Sequence, residues 1–419
     1  MKTPMRWIYS KRNLQILSIV FTSLGFLVSI KTTSIGVILL LIVWLINFKE
    51  LEFKCLLKKS AAHLLFIYFV FLLIGISYSQ DIQQALKLVT RYLSFILMPI
   101  IFLTIKPLSN KERNFIIKSY VYLVSFFFII CLLNAIYRQI VFFNQGGPFN
   151  WYFFYRYDLL EIFIQHPTYV SMCTILSLSF LLTNSKLLFK NNWELIFLML
   201  IQTFSIVLYG SRIGYIILLI VVFLFMYKNL KTKSKKLKAK RGLSYTIAII
   251  ILLITSWNIP IVKERIQFTF GYQQEYKFND KELIKNGTPE KQGRLLLWED
   301  VYELIKEKPF LGYGTGSSNK ILSQKYKEKG HLLFLENKFN AHNTYLELLL
   351  VGGVALLLLY LSILLAILYF GIKRKDFVLT SFFLIVSITG LTETLFRVQG
   401  IVYFSFFFCF LLINKKGHE

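Results

Sequence analysis

The sequence predicts an all-α polytopic membrane protein with about twelve transmembrane helices. Three observations predict it. Apolar residues make up 56% of the 419 positions, and Phe alone supplies 41; soluble domains run at roughly 45–50% apolar. The mean hydropathy is +0.58, more apolar surface than one soluble core can bury. Lys and Arg outnumber Asp and Glu by 48 to 22, a formal net charge of +26. In a soluble chain that excess points to nucleic acid. In a membrane protein it collects on the cytoplasmic loops, so its location decides.

A spanning helix needs about 20 mostly apolar residues, with a lower bound near 17. Twelve runs qualify, at about 14–30, 33–48, 61–79, 88–105, 115–143, 166–184, 194–209, 214–229, 244–259, 344–371, 377–391 and 398–413. The first follows Lys2, Arg6, Lys11 and Arg12, as a signal peptide would. It lacks a small-residue cleavage site and another run follows at once, so it reads as an uncleaved first helix. With the N-terminus cytoplasmic, the inner segments take more than half of the Lys and Arg, including KNLKTKSKKLKAKR at 228–241 and the pair Lys415 and Lys416. The short outer turns are nearly free of positive charge, and in 260–342 Lys and Arg are nearly balanced by Asp and Glu. The alternation holds at every loop and places both termini in the cytoplasm. The basic run at 228–241 then reads as a stop signal rather than a site for nucleic acid or anionic lipid, and the expected surroundings are a lipid bilayer with no nucleic-acid partner.

The chain thus divides into spans 1–9 (1–259), an extracytoplasmic loop (260–342), and spans 10–12 with a cytoplasmic tail (343–419). In the loop, Leu297, Val301, Leu304 and Ile305 fall on one helical face with Trp298 beside them, and Pro309 ends that helix. A smaller outer segment at about 144–165 contains PFNWYFFYRYDLLEIF. Its aromatic residues suit an interfacial belt or a re-entrant piece; they could also stack on sugars. Cys55, Cys131, Cys173 and Cys409 are scattered, so neither a disulfide framework nor a zinc spacing follows. No internal repeat is visible, which disfavours an inverted-repeat transporter.

Three outer features could carry chemistry. Gly210-Ser211-Arg212-Ile213-Gly214 forms a very short turn between two spans. A cation there runs against the charge bias of the other outer turns: it is either an anion site approached over glycine or an arginine snorkelling to lipid phosphate. Gly293-Arg294 opens the predicted loop helix, where the macrodipole disfavours a cation. Gly312, Gly314 and Gly316 follow. Their G-x-G-x-G pattern comes after a helix with no preceding strand, so it fails the dinucleotide fingerprint and reads as a hinge, a backbone nest for phosphate or a plain loop. Ala341-His342-Asn343-Thr344-Tyr345-Leu346-Glu347 enters the tenth span. Thr344 and Glu347 have capping-box spacing, which puts His342 just outside the positive helix end. That favours a neutral imidazole able to accept a proton, a role worth about 10²–10⁴-fold in rate; otherwise His342 makes only a local hydrogen bond. His166, ahead of Pro167, sits on the same side, whereas His63, His331 and His418 look incidental. There is no H-E-x-x-H or D-x-D spacing and no Walker A motif, so the expectation is no metal, no cofactor and no direct use of ATP.

Together GSRIGY at 210–215, RLLLWEDVYELIKEKPFLGYGTG at 294–316 and AHNTYLELLLVGGV at 341–354 resemble the O-antigen ligase and O-antigen polymerase superfamily. Twelve spans with one large outer loop before the tenth also resemble that layout. The resemblance implies a GT-C-like membrane glycosyltransferase of the bacterial cytoplasmic membrane. It would move a glycan from undecaprenyl diphosphate to an acceptor sugar hydroxyl, of a growing glycan or a lipid A core, on the outer face and without metal. By that resemblance Arg212 and Arg294 would bind the diphosphate and His342 would activate the acceptor. Ser211, Gly312, Gly314, Asn343, His166 and Glu393 (in LTETLF at 391–396) are supporting positions. Guanidiniums suit the role, being always charged and able to grip phosphate with two hydrogen bonds. Two other readings stay open: a non-enzymatic flippase or transporter of lipid-linked oligosaccharide, and a protein O-oligosaccharyltransferase. The motifs do not select among acceptors.

Overall fold

The computed structural model describes residues 10–58, 60–189, 191–230, 290–396 and 398–413, all helix, turn or loop with no strand among them. The predicted ninth span at 244–259, the first part of the outer loop and most of the basic run at 228–241 lie outside the described residues. So do Lys2, Arg6, Lys415, Lys416 and His418.

The described residues begin with a helical hairpin of α1 (Lys11–Val28) and α2 (Ile30–Ile46). Ser29 divides them: its backbone is extended and its hydroxyl accepts from the Thr32 amide at 3.0 Å. The helices touch along small residues. A Cβ on Gly25 would lie 2.6 Å from the Thr33 Cα, and one on Gly36 2.8 Å from the Thr22 Cα. Next come α3 (His63–Ile74), α4 (Ile82–Tyr92), α5 (Ser94–Thr104), the 35-residue α6 (Asn110–Asn144), α7 (Pro167–Leu188), α8 (Asn192–Tyr209) and α9 (Arg212–Leu230). Then follow α10 (Glu290–Glu307), α11 (Ser318–Glu328), α12 (Leu332–Glu336), α13 (Thr344–Lys373), α14 (Phe377–Gly390) and α15 (Val398–Ile413).

Among the described residues, four apolar stretches are long enough to cross a membrane: Ile82–Thr104, Asn110–Asn144, Asn192–Tyr209 and Thr344–Lys373. Five more apolar helices are shorter, among them His63–Ile74. At 1.5 Å per residue its 12 residues rise only about 18 Å, against a hydrocarbon core of about 30 Å. The predicted run at 88–105 corresponds to α5 and the end of α4, which reaches back to Ile82. Side chains such as Ile38, Phe126, Leu358 and Leu365 are more than half exposed, as lipid-facing positions are. Inside, the phenylalanines pack on one another: the Phe396 ring lies 5.8 Å from Phe95, 5.5 Å from Phe404 and 5.1 Å from Tyr360.

The segment from Glu290 to Asn343 builds a second core. Leu297, Val301, Leu304 and Ile305, the predicted apolar face, are buried against Ile321, Leu322, Tyr326 and Phe334. A polar cluster closes its rim: Lys329 bridges Asp300 at 2.9 Å and Glu303 at 2.7 Å, Lys325 reaches Glu303 at 2.9 Å, and His331 reaches Asp300 at 2.8 Å. This core is stitched to α13 where that helix breaks. Gly353 has φ 61° and ψ −159°, a conformation nearly confined to glycine. The break frees carbonyls and amides that must find partners. Tyr313 and Gly314 donate to the carbonyls of Leu350 and Val351 at 2.8 and 3.0 Å, and Val354 donates to the Pro309 carbonyl at 2.8 Å. Thr315 ties the same loop to the end of α3 through the carbonyls of Gly75 and Leu72.

Candidate active site

Glycine at 210 and serine at 211 set the first wall of the site. Gly210 ends α8 in the left-handed region, φ 61°. A Cβ there would lie 2.5 Å from the Arg156 Cγ and 2.7 Å from the Tyr155 hydroxyl, so only glycine lets the 155–156 segment lie against the turn. Ser211 then caps α9: its hydroxyl accepts from the Gly214 amide at 3.2 Å and lies 3.3 Å from that of Thr168. The result places Arg212 at the first helical position, facing a cavity of about 380 Å³.

Six charged or titratable contributions converge there from separate parts of the chain: Arg156, His166, Arg212, Arg294 and Glu393 line the cavity, and His342 adjoins it through Glu393. Glu393 is the hub. Its two carboxylate oxygens lie 3.8 Å from the Arg294 guanidinium and 3.9 Å from His342 Nδ1. Both separations are within ion-pair reach and too long for hydrogen bonds. The side chains of Arg294 and His342 are each 30% exposed, whereas Glu393 is 12% exposed. Trp298 lines the cavity and donates from Nε1 to the Ala341 carbonyl at 2.9 Å, which couples α10 to the residue before His342. His166 stands edge-on to Tyr157 and Tyr169.

His342 is held by its own backbone. It has φ 42°, an uncommon conformation for a residue other than glycine, and its amide donates to Asn340 Oδ1 at 2.7 Å. The same Asn340 oxygen accepts from the Thr394 hydroxyl at 2.9 Å. Asn343 caps α13, accepting from the amides of Tyr345 and Leu346, and donates to the Leu391 carbonyl at 3.1 Å. Thr344 bonds to the backbone of Glu393 and Leu395. The 391–395 segment is thereby fastened to the base of α13, which fixes Glu393 opposite His342.

Four expectations change. The Thr344–Glu347 capping box does not form, because Asn343 takes the cap and Glu347 accepts from Ser318 at 2.6 Å instead. The helix still starts at Thr344. Arg294 does not open its helix; α10 begins by Glu290 and places Arg294 in the second turn. Gly312 and Gly314 form no phosphate nest: their amides donate to the carbonyls of Lys308 and Val351, and neither residue lines the cavity. Arg156, read only as part of an aromatic interfacial stretch, contributes a third guanidinium. Among the described residues no three of His, Cys, Asp and Glu group as metal ligands.

A sequence model of the family described as O-antigen ligase matches residues 196–361. That span contains Arg212, Arg294 and His342, and supports the O-antigen ligase and polymerase superfamily that the three motifs resemble. No curated protein sequence matches the chain.

Proposed function

We propose that this O-antigen-ligase-like membrane protein is a glycosyltransferase that moves a glycan from undecaprenyl diphosphate to a sugar hydroxyl in surface polysaccharide synthesis, as a ligase or a polymerase. The observation that carries the reading is the convergence of Arg156, Arg212 and Arg294 on one cavity beside a carboxylate that reaches His342. Among the described lining residues three guanidiniums stand beside one carboxylate, a donor set that suits a diphosphate.

The chemistry balances as a single displacement. His342 takes the proton from the acceptor hydroxyl, and the oxygen attacks the anomeric carbon. The bond from that carbon to the phosphate oxygen breaks on the opposite side, so configuration inverts. Undecaprenyl diphosphate leaves with one more negative charge. The arginines stabilise that charge as it develops, the kind of electrostatic help that is usually the largest single contribution to catalysis. This is the service a metal ion would otherwise supply. Glu393 balances the imidazolium formed on His342.

The reading includes the GT-C-like arrangement of about twelve spans, with both termini in the cytoplasm of a bacterial inner membrane. Residues 1–259 and 343–419 would carry the spans, and 260–342 would lie outside with the cavity opening to that side.

The test is a host strain lacking this protein. Its undecaprenyl-diphosphate glycan should accumulate on the outer face of the inner membrane and disappear on complementation with the wild type but not with Arg212→Ala, Arg294→Ala or His342→Ala. Accumulation on the inner face would instead indicate a flippase. Full complementation by the three variants would remove the enzyme reading.

A further inference from the structure

The 392–396 segment separates two cavities. Thr392 and Glu393 face the arginine cavity, whereas Thr394 and Phe396 line a second one of about 300 Å³, at the lower end of small-molecule sites. Its mouth carries the exposed side chains of Arg91 and Asn319. Its floor is aromatic and closed: Tyr68, Tyr92 and Phe396 are at most 5% exposed. On its wall stands Glu347, one turn into α13 and five residues past His342. One oxygen of Glu347 accepts from Ser318 at 2.6 Å. The other, Oε2, is buried and has no hydrogen-bond partner. A buried acceptor without a donor is unfavourable until one arrives.

We infer that this second cavity is a carbohydrate subsite, taking a sugar of the acceptor glycan with Glu347 Oε2 as acceptor for its hydroxyls. The inference rests on the glycosyl-transfer reading and deepens it. A pyranose has an apolar C–H face and a rim of hydroxyls, which matches an aromatic floor under a carboxylate, the Gln84 amide and the Asn319 amide. With Glu347 on its wall and Arg91 at its mouth this cavity is close to neutral, whereas three arginines line the neighbouring one. The location also fits: the two cavities share the 392–396 segment, so a glycan seated here lies beside the arginine cavity.

The experiment uses the full-length protein in lipid nanodiscs. The probe is the oligosaccharide repeat unit released by mild acid from the host's own surface polysaccharide, titrated by saturation-transfer NMR. The wild type should bind it. Glu347→Gln and Asn319→Ala should each weaken binding about tenfold, and Arg212→Ala should bind as the wild type does. Asn319 is exposed, so its variant separates a lost contact from a lost fold. In transfer assays Glu347→Gln should raise the acceptor KM and leave the lipid-donor KM unchanged, a split that loosened packing would not produce. No binding by the wild type, equal binding by all variants, or loss in Arg212→Ala parallel to that in Glu347→Gln would each overturn the subsite. Absence of undecaprenyl diphosphate release by the wild type would instead sink the glycosyl-transfer reading, and the binding titration would still be readable.

Discussion

Arg212 stands where local physics least favours it, at the first position of a helix whose positive end it faces. Ser211 and Gly210 hold it there, so the placement is built rather than incidental. Arg212→Ala should lower transfer about 10²–10³-fold, the usual loss for one donor to developing charge. Arg212→Lys should recover only part of it, because an ammonium keeps the charge and loses the two-pronged grip. Both are read as kcat with the lipid-linked donor. Gly210→Ala should displace Tyr155 and Arg156 and lower kcat alongside Arg156→Ala; unchanged activity in both would remove Arg156 from the site. Arg212 was picked out in the sequence because a cation in a short outer turn runs against the charge bias, and His342 because it stands just before a helix start; Arg294 was picked out as a helix opener, and it lies in the second turn instead. Arg156 was not picked out, since an arginine among aromatic residues looks like any interfacial anchor. Glu393 showed only through family likeness, because nothing in its spacing announces that the 391–395 segment folds back on α13.

At the scale of elements, the G-x-G-x-G run and the Gly352-Gly353 pair turned out to be two halves of one device. The sequence displayed both and could not show that each supplies the other's missing hydrogen bonds, since that pairing joins residues about forty positions apart. Gly353→Ala should cost about 1–3 kcal/mol in backbone strain alone, and its Cβ would overlap the Phe310 carbonyl. A lowered Tm in detergent checks this. The α10–α11 junction makes a pH prediction. Hydrogen bonds from Lys329 and Lys325 hold the Glu303 carboxyl down at about 2. A depressed carboxyl stabilises the fold above its unfolded value, near 4.5, and that contribution fades as pH falls toward 2. The difference in hydrogen-exchange protection of α11 between wild type and Glu303→Gln should therefore be flat from pH 8 to 5 and shrink below. A difference that already vanishes by pH 6 would contradict the pairing.

For the whole molecule, hydropathy gave the helical membrane class and most helix boundaries, because apolar runs and their caps are local signals. The number of crossings is less local: His63–Ile74 is short and α4 with α5 forms one stretch. With Cys55 replaced by Ser, a membrane-impermeant thiol reagent applied to intact inner-membrane spheroplasts should label Glu336→Cys and leave Lys49→Cys unlabelled. Labelling of Lys49→Cys alone would invert the proposed orientation.

The proposed chemistry is transfer of a glycan from a lipid diphosphate by the arginine cavity and His342. Its most direct test is the purified protein in nanodiscs with undecaprenyl-diphosphate glycan and acceptor, measuring free undecaprenyl diphosphate over time. The wild type should release it, and release should fall at least about 100-fold in His342→Ala and in Arg212→Ala. Release at the wild-type rate by a variant lacking Arg212, Arg294 and His342 together would contradict the proposed chemistry.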